Sequence, residues 1–154
     1  MATGKFPSLK LTRLRQNKSV RNMLDQPVPA PEKFIWPVFV VEGQNKEIPI
    51  ESMPGQYRYS VDRLCNAIEP VAKMGVGGIM IFAALDDDKK SCDAHYAYSE
   101  YGLAQKAITE VKCRFPELVV FADVCICSYT DHGHCAILDE NGRIISDKTL
   151  DTLS

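Results

Sequence analysis

Three cysteines near the middle of the chain have the spacing C-x-C-x7-C, which suits a metal ion better than a plain protein core. They are Cys125, Cys127 and Cys135. Thiolate sulfur is a preferred ligand of zinc, and three sulfurs on one tetrahedral ion leave its fourth position open. An open fourth position distinguishes catalytic zinc from structural zinc, which four protein ligands close. The spacing therefore predicts a zinc site at which a water molecule or a substrate atom can bind.

The segment that leads into these cysteines is predicted to be a buried strand. Residues 118–126 form an almost unbroken apolar run, as in a parallel sheet that is covered on both faces. Because side chains alternate along a strand, Asp123, Cys125 and Cys127 are expected to project from the same face. We expect Asp123 to be buried beside the metal, where it would hydrogen-bond a substrate amine or a group that supports the ligands. The alternative for Asp123 is a buried carboxylate with a structural role only.

Two other interpretations of the cysteine segment stay open at this point. His132 and His134 lie in the same polar loop, and imidazole is also a zinc ligand, so either could replace a cysteine or a water. The second interpretation is a thiol redox pair formed by Cys125 and Cys127. It is disfavoured because alternate cysteines on one strand would form a strained disulfide, and nothing upstream resembles a thioredoxin unit.

Length and composition indicate an ordinary globular domain. The 154 residues carry a net charge of −2, so charge gives no reason to expect a nucleic-acid or membrane-surface partner. No apolar run approaches the ~20 residues of a membrane span, and the N-terminus lacks the apolar core of a secretory signal. Six cysteines in so long a chain, with several apolar strands, favour a reduced, cytoplasmic, metal-binding protein over a disulfide framework.

The first half of the chain divides into an arm and the start of an alternating pattern. Residues 1–30 are predicted to be an N-terminal arm that contains a short amphipathic helix, with an apolar side formed by Leu11, Leu14, Val20 and Leu24. Strands are predicted over 34–43 and 75–85, and a helix over 61–74. Pro37 inside the first strand favours a sheet edge or a bulge. Residues 51–60 are predicted to be a turn-rich loop.

The second half continues the alternation and fixes the fold class. A helix is predicted over 100–115, followed by the strand that carries the cysteines. A hairpin is predicted around Asn141–Gly142, a dipeptide suited to a tight turn, with a last helix starting at about residue 148. Strands that alternate with helices indicate right-handed βαβ units and a parallel sheet. The pattern alone leaves a doubly wound sheet and a barrel equally open.

The segment DVCICSYTDHGHC, residues 123–135, resembles the metal-binding segment of the porphobilinogen synthases (5-aminolevulinate dehydratases), in their zinc-dependent, cysteine-rich form. Residue types and spacing match together at Asp123, Cys125, Cys127, Tyr129, Thr130, His132, Gly133, His134 and Cys135. The resemblance implies that the three cysteines bind zinc and that the two histidines lie outside the set of direct ligands. Residues 13–15 partly match a family arm that wraps a neighbouring subunit, which implies a homo-oligomer, octamer-like in the family.

The resemblance also implies a fold. Porphobilinogen synthases are (β/α)8 barrels with an N-terminal arm, and a whole barrel takes ~250 residues. The expected fold is therefore α/β: a partial (β/α)8 TIM barrel, about the first three βα units plus a hairpin. The expected division is an arm over residues 1–30 and an incomplete barrel domain over residues 31–154.

The implied activity is that of a lyase. It condenses two molecules of 5-aminolevulinate to porphobilinogen, with loss of water, in tetrapyrrole and haem biosynthesis, and the zinc ion would polarise a substrate carbonyl. In the family, lysines on later strands bind the substrates, at least one as a Schiff base, and no lysine of this chain matches those motifs. The chain is therefore expected to be truncated before its covalent nucleophile. The alternative is a non-catalytic zinc-binding remnant or one half of a split enzyme.

Overall fold

A computed structural model describes residues 12–25 and 28–154. Within them, five strands form one sheet in the order β2-β3-β1-β4-β5. The strands are β1 (Ile35–Val41), β2 (Glu47–Pro49), β3 (Tyr57–Ser60), β4 (Gly78–Ala83) and β5 (Val119–Ala122). All neighbours are parallel except the antiparallel pair β2 and β3. The predicted parallel sheet is thus confirmed.

Within the described part of the chain, four α-helices accompany the sheet. They are α1 (Lys18–Leu24), α2 (Val61–Lys73), α3 (Leu103–Arg114) and α4 (Ser146–Leu153). The predicted helices over 61–74 and 100–115 correspond to α2 and α3, with slightly different ends. The predicted hairpin is present as a bridge between Leu138 and Ile144, and Gly142 supplies its positive φ of 75°.

The core lies between the sheet and helices α2 and α3. Its central members are fully buried and come from β1, β4, α2 and α3: Val38, Val40, Leu64, Ile68, Ile79, Ile81, Ala107 and Val111. Since side chains alternate along a strand, the opposite face of β1 and β4 carries Phe39 and Phe82, whose rings stack 5.5 Å apart. One face of the sheet is therefore sealed by helices, and the other presents aromatic side chains to a cavity.

The strand that leads to the cysteines is shorter and more exposed than predicted. It was expected to span residues 118–126 and to be buried on both faces, but β5 ends at Ala122. Ala122 pairs with Ile81, near the end of β4, so the ladder stops there. Among the described residues no strand pairs with the other edge of β5, and Val119 and Phe121 are 50% and 39% exposed. An edge position, rather than its apolar sequence, decides the exposure of β5.

Two predictions about the first strands need correction. Residues 51–60 were expected to be a loop, but Tyr57–Ser60 form β3, which pairs with the last three residues of β1. Pro37 was expected to mark an edge or a bulge, yet β1 is the central strand. Proline lacks a backbone N–H, and at Pro37 this missing donor lies on the side of β1 that faces β3. Since β3 pairs only with Phe39–Val41, no strand needs a hydrogen bond from Pro37 on that side.

The single helix predicted within residues 11–24 is also wrong over its described part. A 3₁₀ turn spans Arg13–Arg15, and α1 begins separately at Lys18. Asn17 breaks the run because its side chain accepts a hydrogen bond of 2.9 Å from the backbone N–H of Val20 and so caps α1. Leu11 and the rest of residues 1–11 lie outside the described residues. No helix over residues 12–25 and 28–154 has the length and hydropathy to cross a membrane.

Candidate metal centre

The three predicted cysteines converge at one point. Their Sγ atoms all lie within 4.8 Å of one another. The Sγ of Cys125 is 3.1 Å from that of Cys127 and 2.9 Å from that of Cys135. A tetrahedral zinc ion with Zn–S bonds of ~2.3 Å holds its sulfurs about 3.8 Å apart, so a small outward movement admits an ion. All three thiols are free, and the separations exceed the ~2.05 Å of a disulfide.

A tight turn after β5, rather than the strand itself, positions the first two cysteines. Ile126 is 2% exposed and lies between them as an anchor in the core. Its carbonyl oxygen accepts hydrogen bonds from the backbone N–H groups of Tyr129 and Thr130, at 2.9 and 3.1 Å. The prediction that Cys125 and Cys127 share a face of a buried strand is therefore wrong. They meet because the chain bends around Ile126.

The third cysteine returns to the first two through a loop held by Thr130. Its hydroxyl lies 2.9 Å from the carbonyl oxygen of His134 and 3.3 Å from that of Cys127, and it donates to these acceptors. Thr130 is 1% exposed. Gly133 adopts a positive φ of 74°, which lets the chain reverse within the loop. The buried hydroxyl thus ties the residue before Cys135 to the turn that carries the other two sulfurs.

Asp123 lies beside the cysteines but is not buried. It is an exposed residue whose carboxylate accepts a hydrogen bond of 3.2 Å from the backbone N–H of Cys125. The expected burial is therefore wrong, because β5 ends one residue earlier and Asp123 already lies on the open side of the sheet. The carboxylate nevertheless lines the cavity in front of the thiols.

The two histidines pack against each other and do not join the sulfur cluster. Their rings stack with centroids 5.6 Å apart, and the backbone N–H of His134 donates to Nδ1 of His132 at 3.2 Å. Over residues 12–25 and 28–154, the group of ligand atoms close enough for one metal consists of the three cysteines. Nε2 of His132 is buried and has no hydrogen-bond partner among the described residues. We therefore assign neither imidazole as a direct ligand.

Close packing of the thiols separates their acidities. Hydrogen bonding with Cys135, followed by bonds to the backbone and side chain of Cys127, lowers the pKa of Cys125. Hydrogen bonding with Cys125, followed by burial, raises the pKa of Cys127 to about 12. The thiol of Cys125 therefore loses its proton more readily than the thiol of Cys127. All three thiols must deprotonate to bind a metal, so the ion's own positive charge is needed to complete the site.

A cavity of about 630 Å³ opens in front of the cluster, on the sheet face that the helices leave free. Its lining combines apolar side chains with a few polar ones: Phe39, Phe82, Ala83, Ala84, Leu85, Lys90, Asp123, Cys125, Cys127 and Ser128. An apolar wall with a few polar groups is typical of a small-molecule site. Lys90 was missed by sequence reasoning, because a lysine that follows three aspartates has the signature of a solvated loop.

Comparison with known proteins agrees with this geometry. The family model of delta-aminolevulinic acid dehydratase matches residues 8–154. The delta-aminolevulinic acid dehydratase of Bacillus subtilis is 40% identical over 142 residues, which cover 92% of this chain and 43% of that protein. That of Ruminiclostridium josui is also 40% identical, over 139 residues that cover 90% of this chain and 66% of the relative. The chain thus spans less than half the length of the Bacillus relative.

A solved structure extends the likeness to the fold. The delta-aminolevulinic acid dehydratase (porphobilinogen synthase) of Toxoplasma gondii, in complex with the reaction product porphobilinogen, superposes with a TM-score of 0.88 at 34% identity. The match covers 94% of this chain and 41% of that one. The expected α/β fold, a partial (β/α)8 barrel, is therefore confirmed. Since the family match extends over nearly the whole chain and the fold agrees with it, this chain belongs to the delta-aminolevulinic acid dehydratase family.

Proposed function

We propose that this chain provides the zinc-binding part of a porphobilinogen synthase, which condenses two molecules of 5-aminolevulinate with loss of water. The observation that carries the proposal is the convergence of three free thiols at the edge of a largely apolar cavity. The cluster follows the C-terminal end of β5, and catalytic groups of such barrels gather at the C-terminal ends of the strands. Because the chain spans under half of the Bacillus relative, the activity of a whole enzyme is inferred from the family.

The donor set fits zinc. Cys125, Cys127 and Cys135 would hold the ion through three thiolates and leave a fourth position toward the cavity. Zinc, when bound, supplies a Lewis acid that can polarise a carbonyl oxygen. Three thiolates donate strongly and carry a formal charge of −3, so they favour orientation and polarisation of a carbonyl over the generation of hydroxide.

Asp123 is proposed to bind the amine of 5-aminolevulinate. Its carboxylate lines the cavity, and the hydrogen bond from the backbone N–H of Cys125 fixes its orientation. A carboxylate in this position accepts hydrogen bonds from a protonated amine and keeps it close to the thiols. Phe39 and Phe82 line the same cavity, and their apolar rings limit the access of water to the bound substrate.

A second candidate function has a specific observation in its favour. No strand among the described residues pairs with the outer edge of β5, and Val119 and Phe121 on that strand are substantially exposed. An unpaired apolar edge is a template for another strand. We therefore propose, as the alternative, one half of a split enzyme whose other half pairs with β5. From the family likeness we also propose that the complete protein is a homo-oligomer.

One experiment tests the proposed function at two levels. Zinc content is measured for the wild-type chain and for the Cys125→Ala, Cys127→Ala and Cys135→Ala variants, with the exposed Cys113→Ala as matched control. We expect one zinc ion per wild-type or Cys113→Ala chain, and loss of stoichiometric binding when any of the three clustered cysteines is replaced. Unchanged zinc content after replacement of all three would refute the metal site.

The second level is turnover. Porphobilinogen formation from 5-aminolevulinate is measured for the chain alone and after addition of the C-terminal part of the Bacillus subtilis relative. No lysine of this chain matches the Schiff-base motifs of the family, so we expect no product from the chain alone. Product that forms only in the mixture favours a split enzyme. Product from the chain alone would contradict the requirement for the missing lysines.

A further inference from the structure

Lys90 is a cationic side chain in an unusual setting. Lysine side chains are mostly exposed, but that of Lys90 is only 26% exposed and lines the same cavity as Asp123, Cys125 and Cys127. Among the described residues that line this cavity, Lys90 is the one cation. Its ammonium group therefore adds a positive charge to a cavity whose other ionisable groups are a carboxylate and thiols.

The backbone around Lys90 is tied to the metal loop. The backbone N–H of Ser91 donates a hydrogen bond of 3.1 Å to the carbonyl oxygen of Tyr129, which follows the two cysteines of the turn. The backbone N–H of Lys90 itself bonds to the carbonyl oxygen of Asp87, which closes a 3₁₀ turn. These two bonds fix the Cα of Lys90 relative to the sulfur cluster, so its position is determined by the fold rather than by a free loop.

The ammonium group keeps hydrogen-bonding capacity for a ligand. It donates one hydrogen bond of 2.7 Å to Asp87, whose side chain is 96% exposed. An ammonium group has three donors, so two remain. The rest of the cavity lining is largely apolar and includes Phe39, Phe82 and Leu85. This arrangement suits a short aliphatic molecule with an anionic group at one end and a metal-directed oxygen at the other.

We propose that Lys90 binds the carboxylate of the substrate that enters this cavity, and so selects keto acids over neutral ketones. The proposal rests on the proposed function and adds a residue that recognises one end of the substrate. In this role the ammonium group of Lys90 only donates hydrogen bonds and forms no covalent bond with the substrate. The charged hydrogen bond positions the keto group of the molecule toward the thiol cluster.

The test compares a charged ligand with its neutral counterpart. Levulinate and methyl levulinate share a carbon skeleton and a ketone, and only the first carries a carboxylate. Their dissociation constants for the zinc-loaded chain are measured by NMR titration, for the wild type and for Lys90→Met, Lys90→Arg and Lys73→Met. Lys73 is a matched control because it also makes one ion pair, with Glu69 at 2.8 Å, but lies on α2 outside the cavity lining.

We expect Lys90→Met to weaken levulinate binding by about 10- to 100-fold, the range for a hydrogen bond to a charged group. Binding of methyl levulinate should stay within about 3-fold, Lys90→Arg should retain most of the affinity for levulinate, and Lys73→Met should match the wild type. An equal change for both ligands in Lys90→Met, with or without loss of zinc, would overturn the role of Lys90. If the wild type binds neither levulinate nor 5-aminolevulinate, the proposed function fails together with this inference.

Discussion

The hydroxyl of Thr130 lies where the loop that carries Cys135 returns to the turn of Cys125 and Cys127, so Thr130→Val tests what brings the sulfurs together. Valine has nearly the same shape, and the substitution removes only the hydroxyl. The hydroxyl donates to the carbonyl oxygen of His134 at 2.9 Å and approaches that of Cys127 at 3.3 Å. Since Thr130 is 1% exposed, water cannot readily take its place.

The magnitude follows from a partly buried hydrogen bond whose carbonyl acceptor loses its donor. Such a loss costs about 1–3 kcal/mol of unfolding free energy. If zinc binding requires the loop in its native position, part of the binding free energy of zinc is used to restore that position. The zinc affinity then falls by the same free energy that the lost hydrogen bond costs. Zinc affinity should then fall by up to about 5- to 150-fold, because each 1.4 kcal/mol corresponds to a tenfold change.

Two measurements separate a role in the site from a role in the core. The free energy of unfolding of the metal-free chain is obtained from urea titration, and the zinc dissociation constant from competition with a chromophoric chelator. Thr109→Val is the matched control, since its hydroxyl also donates to a backbone carbonyl, that of Gln105 at 2.9 Å, but on the exposed surface of α3. We expect Thr130→Val to change both quantities and Thr109→Val to change neither by much.

A Thr130→Val variant that is destabilised as expected but binds zinc with wild-type affinity would refute this role of the hydroxyl. That result would mean that the sulfurs converge without the hydrogen bond to His134. A loss of affinity in Thr109→Val as large as that in Thr130→Val would also contradict it, because the effect would then be general rather than local to the loop.

Two further predictions concern the scaffold. Ile68→Ala should lower the free energy of unfolding by about 2–5 kcal/mol, because Ile68 is fully buried between α2 and the sheet. Met74→Ala, at an exposed position, should change the free energy of unfolding by under about 0.5 kcal/mol. Similar urea midpoints for the two variants would contradict this packing. Gly77→Ala should cost about 1–3 kcal/mol, because a Cβ there would overlap the backbone carbonyl of Glu32. A Gly77→Ala variant with the thermal midpoint of the wild type would show that the backbone at Glu32 moves aside at little cost.

The helices and central strands could be predicted because their signals are local. The apolar stripe of α2, with Leu64 and Ile68, repeats at helical spacing, and Gly75 ends the pattern. The apolar run of β4 likewise predicts a buried strand, and β4 is buried between β1 and β5. β3 could not be predicted in this way, since Tyr57–Ser60 become a strand only because the edge of β1 is available to pair with them.

The cysteine spacing predicted which side chains meet, but not how they meet. A pattern of residue types shows that three sulfurs could reach one ion, and the structure brings their Sγ atoms within 4.8 Å. The prediction placed Asp123 and the first two cysteines on a strand because the apolar run continues to Ile126. The strand stops at Ala122 instead, and Ile81 of β4 is its last ladder partner.

The sequence by itself determined the family, the alternation of strands and helices, and the three thiols that could hold a metal, because each depends on residues close together in the chain. Only the tertiary structure decided where the last strand ends, that Thr130 holds the returning loop, and that Lys90 lies in the cavity. The strand end and the position of Lys90 depend on contacts between segments that are distant in sequence, whereas Thr130 bonds to residues three and four positions away through a backbone geometry that residue types do not specify. Hydrogen bonds such as that between Ser91 and Tyr129 leave no periodicity or motif that the sequence could reveal.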